Sequence, residues 1–201
     1  MIAYIKRYEL VANFLLAVVW IIFAYRQIGA FFATGNWAFA LFCISESLQA
    51  FFFLFRSKAK DVAIKPFAWA VAVGGTWAAL SLTPGGWVLW QGGPALLVVG
   101  VMLQIASTLS LNRSFAIVAS LRTVKTRGTY SIVRHPMYAS YSISLLGYLL
   151  FNATIFNLLC IVLTFVYFYF RIEEEEKLLE LDLQYREYKK LVRYRLIPLI
   201  Y

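Results

Sequence analysis

Thr154–Phe170 reads TIFNLLCIVLTFVYFYF, and Arg171–Glu176, RIEEEE, follows it without a break. An apolar run of this length suits a helix crossing roughly 30 Å of hydrocarbon, and the abrupt charge marks where that helix meets water. No glycine or proline lies between Gly147 and Pro198, and beyond Arg171 the apolar positions Leu178, Leu181, Tyr185, Tyr188 and Val192 recur at helical spacing. The spacing predicts that the helix runs on into the cytosol as an amphipathic extension, able to fold back over the inner membrane face.

Five more apolar runs lie upstream. They cover Leu10–Tyr25, Trp37–Phe55, Pro66–Leu82, a stretch beginning near Trp87 and fading near Asn112, and Pro136–Phe151, which meets the last run at a turn around Asn152. Gly92-Gly93-Pro94 reads as an interruption within the fourth run, tolerable if neighbouring helices satisfy the freed backbone groups. With 62% hydrophobic and 14% charged residues and a mean hydropathy of +0.71, the chain is far more apolar than a soluble domain. It reads as an all-α, polytopic transmembrane bundle of about six spans. No repeat or long linker divides it, so residues 1–201 form one domain, with spans of unassigned role in 1–108.

With the N-terminus inside, all of the 19 lysines and arginines except Arg26 fall on the inner side, which places both termini in the cytosol. The first run follows Lys6 and Arg7 like a signal sequence but has no small-residue cleavage site after it, so it is expected to stay as an anchor. A short chain without extensions points to a bacterial inner membrane before an endoplasmic reticulum. Topology thereby accounts for the net charge of +9. Nucleic acid is excluded as a partner, because no basic stripe is interleaved with aromatics on a soluble domain. Cys43 and Cys160 each sit inside an apolar run and cannot build a disulfide scaffold. A single histidine argues against a metal site, and no G-x-G-x-x-G follows a strand.

The candidate chemistry gathers in two inner segments. In the later one, four consecutive glutamates cannot share one helix face, but Arg171 and Glu175 are four apart and can pair where the helix leaves the lipid. A solvated collar is the plainer reading of that cluster. In the earlier one, Arg134-His135-Pro136-Met137-Tyr138 opens the fifth run, and proline suits the first turn of a helix. His135, the only histidine, then sits beside a helix N-terminus, where it is either a functional group or an interfacial cap.

Gly128-Thr129-Tyr130-Ser131-Ile132-Val133-Arg134-His135-Pro136-Met137-Tyr138 resembles the G-x-Y-x-x-x-R-H-P-x-Y segment of the isoprenylcysteine carboxyl methyltransferase family and of its phospholipid methyltransferase relatives. Arg171–Glu176 followed by Tyr185-Arg186-Glu187-Tyr188 is similar to that family's R-x-E-E-E-E and E-Y-x-E-Y stretch, and Arg195-Leu196-Ile197-Pro198 to its closing R-L-x-P. Gln184 stands where relatives carry an acid, and the glycine usual just before it is missing, so the helix is expected to continue where relatives bend. The resemblance covers residues 109–198. It implies S-adenosylmethionine as cofactor, held by His135 and Tyr138 with Arg134 and Glu176 as weaker candidates. Arg171 and Glu175 would approach the reacting end of an amphiphilic or lipid-like acceptor.

The residue chemistry is compatible with that assignment. A sulfonium cation, an adenine ring and a zwitterionic amino acid call for carboxylates, aromatic faces and donors. A carboxylate acceptor needs only orientation by an arginine, whereas an amine must lose a proton, which gives Glu175 a base role. Further in, Glu46 lies mid-span between Ser45 and Ser47, and Gln104, Thr108 and Asn112 recur every four residues. These either line a cavity or hold helices together. Two other classes fit less well: a nicotinamide-dependent membrane reductase of the steroid-reductase type, and a non-enzymatic membrane protein with both charge clusters as anchors.

Overall fold

The computed structural model describes residues 2–54, 57, 61–63, 65–114, 117–198 and 200, without the side chains of 2–13, 15–17, 19, 53, 54 and 113. Of the basic residues used for topology, Arg56, Lys58 and Lys60, and the side chains of Lys6, Arg7 and Arg113, lie outside the described residues. The described chain is mostly helical: α1 (Ile2–Thr34), α2 (Trp37–Leu54), α3 (Pro66–Leu80), α4 (Gly93–Leu111), α5 (Pro136–Phe151), α6 (Ile155–Leu179) and α7 (Leu183–Leu191). Two of these, α4 and α6, are long and apolar enough to cross a membrane, and shorter apolar helices cover Trp37–Phe52 and Pro66–Leu80.

Two short pairings define the ends of the bundle. At one end β1 (Asp61–Val62), between α2 and α3, pairs antiparallel with β2 (Ser120–Leu121), between α4 and α5. At the other, Trp87 between α3 and α4 pairs with Ala153 between α5 and α6. The helices from α3 to α6 therefore alternate in direction. Asn157 clasps this second end: its Oδ1 accepts from Thr83 N at 3.1 Å, and its Nδ2 donates to Thr83 O and Asn152 O at 2.9 and 2.7 Å. Polar side chains here satisfy backbone groups that an apolar surrounding would leave unpaired.

The closest helix pair is α4 with α5, and small residues make it possible. A Cβ on Gly100 would come within 2.4 Å of Ser144 N, and one on Gly147 within 2.4 Å of Leu97 N. Backbones meeting this closely gain dispersion contacts that lipid cannot supply better. Phe23, Phe42, Leu97, Leu145 and Tyr148 fill the core between α1, α2, α4 and α5, while Leu158, Leu159, Val162 and Leu163 of α6 stay exposed. That outward apolar face is what a helix in lipid presents.

Three expectations are corrected. The fourth helix begins at Gly93, not near Trp87, and Pro94 sits in its first turn instead of interrupting it. The first helix is longer than its apolar run at both ends. The helix after Arg171 does not continue: it ends at Leu179, and Asp182 caps a new helix by accepting from Gln184 N at 2.8 Å. An aspartate at the N-cap supplies the stop and restart that a glycine supplies elsewhere.

Candidate active site

The site is assembled where α5 starts, α6 ends and the C-terminal segment crosses both. Pro136 starts α5, and His135 occupies the N-cap position with no side-chain cap bond. The ring is therefore free to turn toward α6, and its Nε2 lies 3.1 Å from Glu176 Oε1. Glu176 Oε1 also accepts from Arg134 Nε at 2.8 Å, while Oε2 accepts from Arg195 Nη2 at 2.9 Å. Lys189 Nζ stands 3.5 Å from Oε2. The backbone N–H groups of Arg134 and His135 donate to Tyr194 O and Arg195 O, both at 2.9 Å, and Arg134 Nη1 donates to Val192 O at 3.0 Å. The C-terminal segment is thus tied across the R-H-P motif like a strap.

Glu176 is the centre of this knot and is 2% exposed. Burial opposes its charge, but hydrogen bonds from His135, Arg134 and Arg195 outweigh that and hold its carboxyl well below the usual carboxylate range. A buried carboxylate is tolerable here because it is paired on both oxygens.

Glu175, one residue earlier, faces the other way. It lines a cavity of about 600 Å³ together with Tyr138, Arg171, Tyr130, Tyr185 and Tyr188. Tyr138 donates its hydroxyl to Glu175 Oε2 at 2.9 Å, and the Arg171 guanidinium carbon lies 5.4 Å from the Tyr138 ring centroid. Arg171 Nη2 also donates to Ile117 O at 3.0 Å. Arg171 and Glu175 share a face, as their spacing predicts, but make no direct ion pair. Tyr138 stands between them and belongs with that pair as much as with His135.

Of the sequence candidates, Arg134, His135, Tyr138, Arg171 and Glu175 all line this cavity. Glu176 does not; it lies behind Arg134 and His135. Several wall residues were not singled out in advance. Tyr130, Tyr185 and Tyr188 lay inside the motifs, yet nothing in their spacing separated wall from core. Tyr188 donates to Tyr130 O at 2.7 Å. The Tyr185 hydroxyl is buried with no hydrogen-bond partner among the described residues, and burial, then the nearby Glu176 charge, raises its phenol well above the usual tyrosine range. It remains a donor in search of an acceptor. Glu46 also reaches the cavity, from α2, with Gln49 and Tyr141.

An orphaned donor, a carboxylate, a guanidinium and several tyrosine rings around one cavity fit the donor set that S-adenosylmethionine requires. The volume also lies within the ordinary range for small-molecule sites, about 300–1,000 Å³. Comparison with known proteins adds a finding at this point. No curated protein matches the chain. Residues 87–184, just under half of the chain, carry both the R-H-P-x-Y segment and the glutamate-bearing helix and match the model of the phospholipid methyltransferase family, a family of integral membrane methyltransferases that includes the isoprenylcysteine carboxyl methyltransferases.

Proposed function

We propose that this protein transfers a methyl group from S-adenosylmethionine to a lipid-like or amphiphilic acceptor at the cytoplasmic face of a membrane that it crosses about six times. The observation that carries the reading is a single cavity lined both by the charged and polar side chains of the two motifs and by apolar side chains of the helices. Arg134, His135, Tyr138, Glu175 and Arg171 line it together with the apolar side chains of Trp20, Ala79 and Phe168. A water-soluble cofactor and a lipid-soluble acceptor can meet only in such a place.

S-adenosylmethionine, when bound, supplies a methyl carbon already activated by its sulfonium. The chain's own task is then alignment and exclusion of water. His135 and Tyr138, with Arg134 beside them, hold the cofactor. Glu176 acts through His135 and Arg134 by fixing where their side chains point. Arg171 and Glu175 meet the acceptor: Arg171 orients a carboxylate, or Glu175 takes the proton of an amine. Tyr138, donating to Glu175, fixes the direction in which that carboxylate faces the cavity.

Calorimetry of the detergent-solubilised protein with S-adenosylhomocysteine and, separately, NADPH tests the cofactor. Binding of the first is expected. Binding of NADPH alone would favour a reductase and end the methyl-transfer reading. Sidedness has its own test: a cysteine replacing Lys190, which is exposed in α7, is expected to react with an impermeant maleimide only after permeabilisation. Reaction in intact cells would remove the cytoplasmic placement.

A further inference from the structure

Glu46 is 7% exposed and sits on α2, outside the family-matched segment. Its Oε1 accepts from the Tyr141 hydroxyl, from Gln104 Nε2 at 3.0 Å and from Gln49 Nε2 at 3.2 Å. Its Oε2 has no hydrogen-bond partner among the described residues, and the residue lines the same cavity as the motif side chains. A carboxylate retained only to join helices is best placed with both oxygens engaged, since an unmet buried acceptor is costly. Here three donors converge on one oxygen and leave the other without a partner among the described residues, in a side chain that lines the cavity.

The two ends of the cavity are linked through α5. Tyr138 and Tyr141 are three residues apart and so lie on one helix face, and both pack edge-on against Phe168, with ring centroids 5.0 and 5.8 Å away. Each donates its hydroxyl to a carboxylate from a different helix: Tyr138 to Glu175 and Tyr141 to Glu46. The unmet oxygen of Glu46 therefore belongs to a polar pole about one helical turn deeper than the pole at Glu175.

We infer that Glu46, held by Tyr141, Gln104 and Gln49, is a recognition site for a hydrogen-bond donor on the acceptor, a hydroxyl or an amine, which its Oε2 receives. This rests on the proposed methyl-transfer reading for what the ligand is, and it narrows the acceptor class. A bare hydrocarbon chain would leave that oxygen unpaired, so the acceptor carries a donor group within a helical turn of its reacting end, and any long tail leaves the cavity elsewhere.

Glu46→Gln is the decisive variant. The three converging donors oblige the new amide to present its carbonyl to them, which puts its NH2 where Oε2 stood and turns an acceptor into a donor. The probes are 1-dodecanol and its methyl ether, offered at matched membrane mole fraction to the full chain in nanodiscs. The readout is thermal stabilisation, with no cofactor present. For the parent, the alcohol is expected to reach equal stabilisation at a tenfold or more lower mole fraction than the ether, and E46Q to lose or reverse that order. Glu46→Met, similar in volume and without either oxygen, is expected to abolish the preference and keeps the question answerable if E46Q does not fold. A parent that does not distinguish the probes, or variants that keep its preference, would overturn the inference. Failure to bind S-adenosylhomocysteine would sink methyl transfer and leave this result standing, so the two readings fail separately.

Discussion

Glu175 and Glu176 are neighbours on one helix, yet they serve two different regions. Glu176 faces the knot of Arg134, His135 and Arg195 and is 2% exposed, whereas the Glu175 side chain is 28% exposed and lines the cavity. A 100° step along the helix separates a carboxylate enclosed by its protein partners from one that opens onto the cavity. The difference teaches that charge in a motif is no guide to role. What separates the two is how many partners each carboxylate has within the protein.

The largest expected effect breaks the knot. Glu176→Ala leaves Arg134 and Arg195 near a vacated buried site, and removal of one partner of a buried ion pair costs about 3–5 kcal/mol. Denaturant unfolding should show it. The same carboxylate has an acid signature. Its folded value is depressed, so its contribution is complete above the unfolded value, near 4.3, and is lost as pH falls below that toward the folded value. Glu176→Gln is expected to flatten this acid-side loss of stability. A variant as stable as the parent, with an unchanged acid limb, would mean that the strap is held by something else.

On the cavity side the effects move from stability to rate. Arg171→Ala and Glu175→Gln are expected to lower turnover by about a hundredfold or more, the scale of acid–base and orienting groups, with little change in S-adenosylhomocysteine affinity. Full turnover in both variants, measured on a confirmed acceptor, would reduce the pair to a collar.

Smaller effects follow for His135→Ala and Tyr138→Ala, each expected to weaken S-adenosylhomocysteine binding about tenfold, roughly 1.4 kcal/mol. Glu176 keeps Arg134 and Arg195 when His135 is lost, so the fold should survive, and circular dichroism checks that. Unchanged affinity in both variants would move the cofactor elsewhere. Least of all, Tyr138→Phe removes one hydrogen bond to a part-exposed carboxylate and should cost about 1 kcal/mol of stability. A loss as large as that of Glu176→Ala would erase the contrast between the two regions.

Much of this was legible in the sequence, and the reason is physical. Lipid forces long apolar runs, so the run ahead of Arg171, the Pro136–Phe151 helix and the turn at Asn152 could be read directly. Glycine, proline and aspartate act locally as well, yet their sense depended on context. Pro94 started a helix that composition placed earlier, and Asp182 ended one that the absence of glycine had extended. The R-H-P-x-Y and R-x-E-E-E-E segments announced their family by pattern. Tertiary structure alone decided which glutamate of the run looks into the cavity, that Tyr138 stands between Arg171 and Glu175, and that Glu46 from the first hundred residues shares their cavity. Each of these depends on how the helices are rotated and how closely they approach. Those quantities are set by packing contacts such as Gly100 against Ser144 and Gly147 against Leu97, between residues far apart in the chain, and no local spacing rule encodes them.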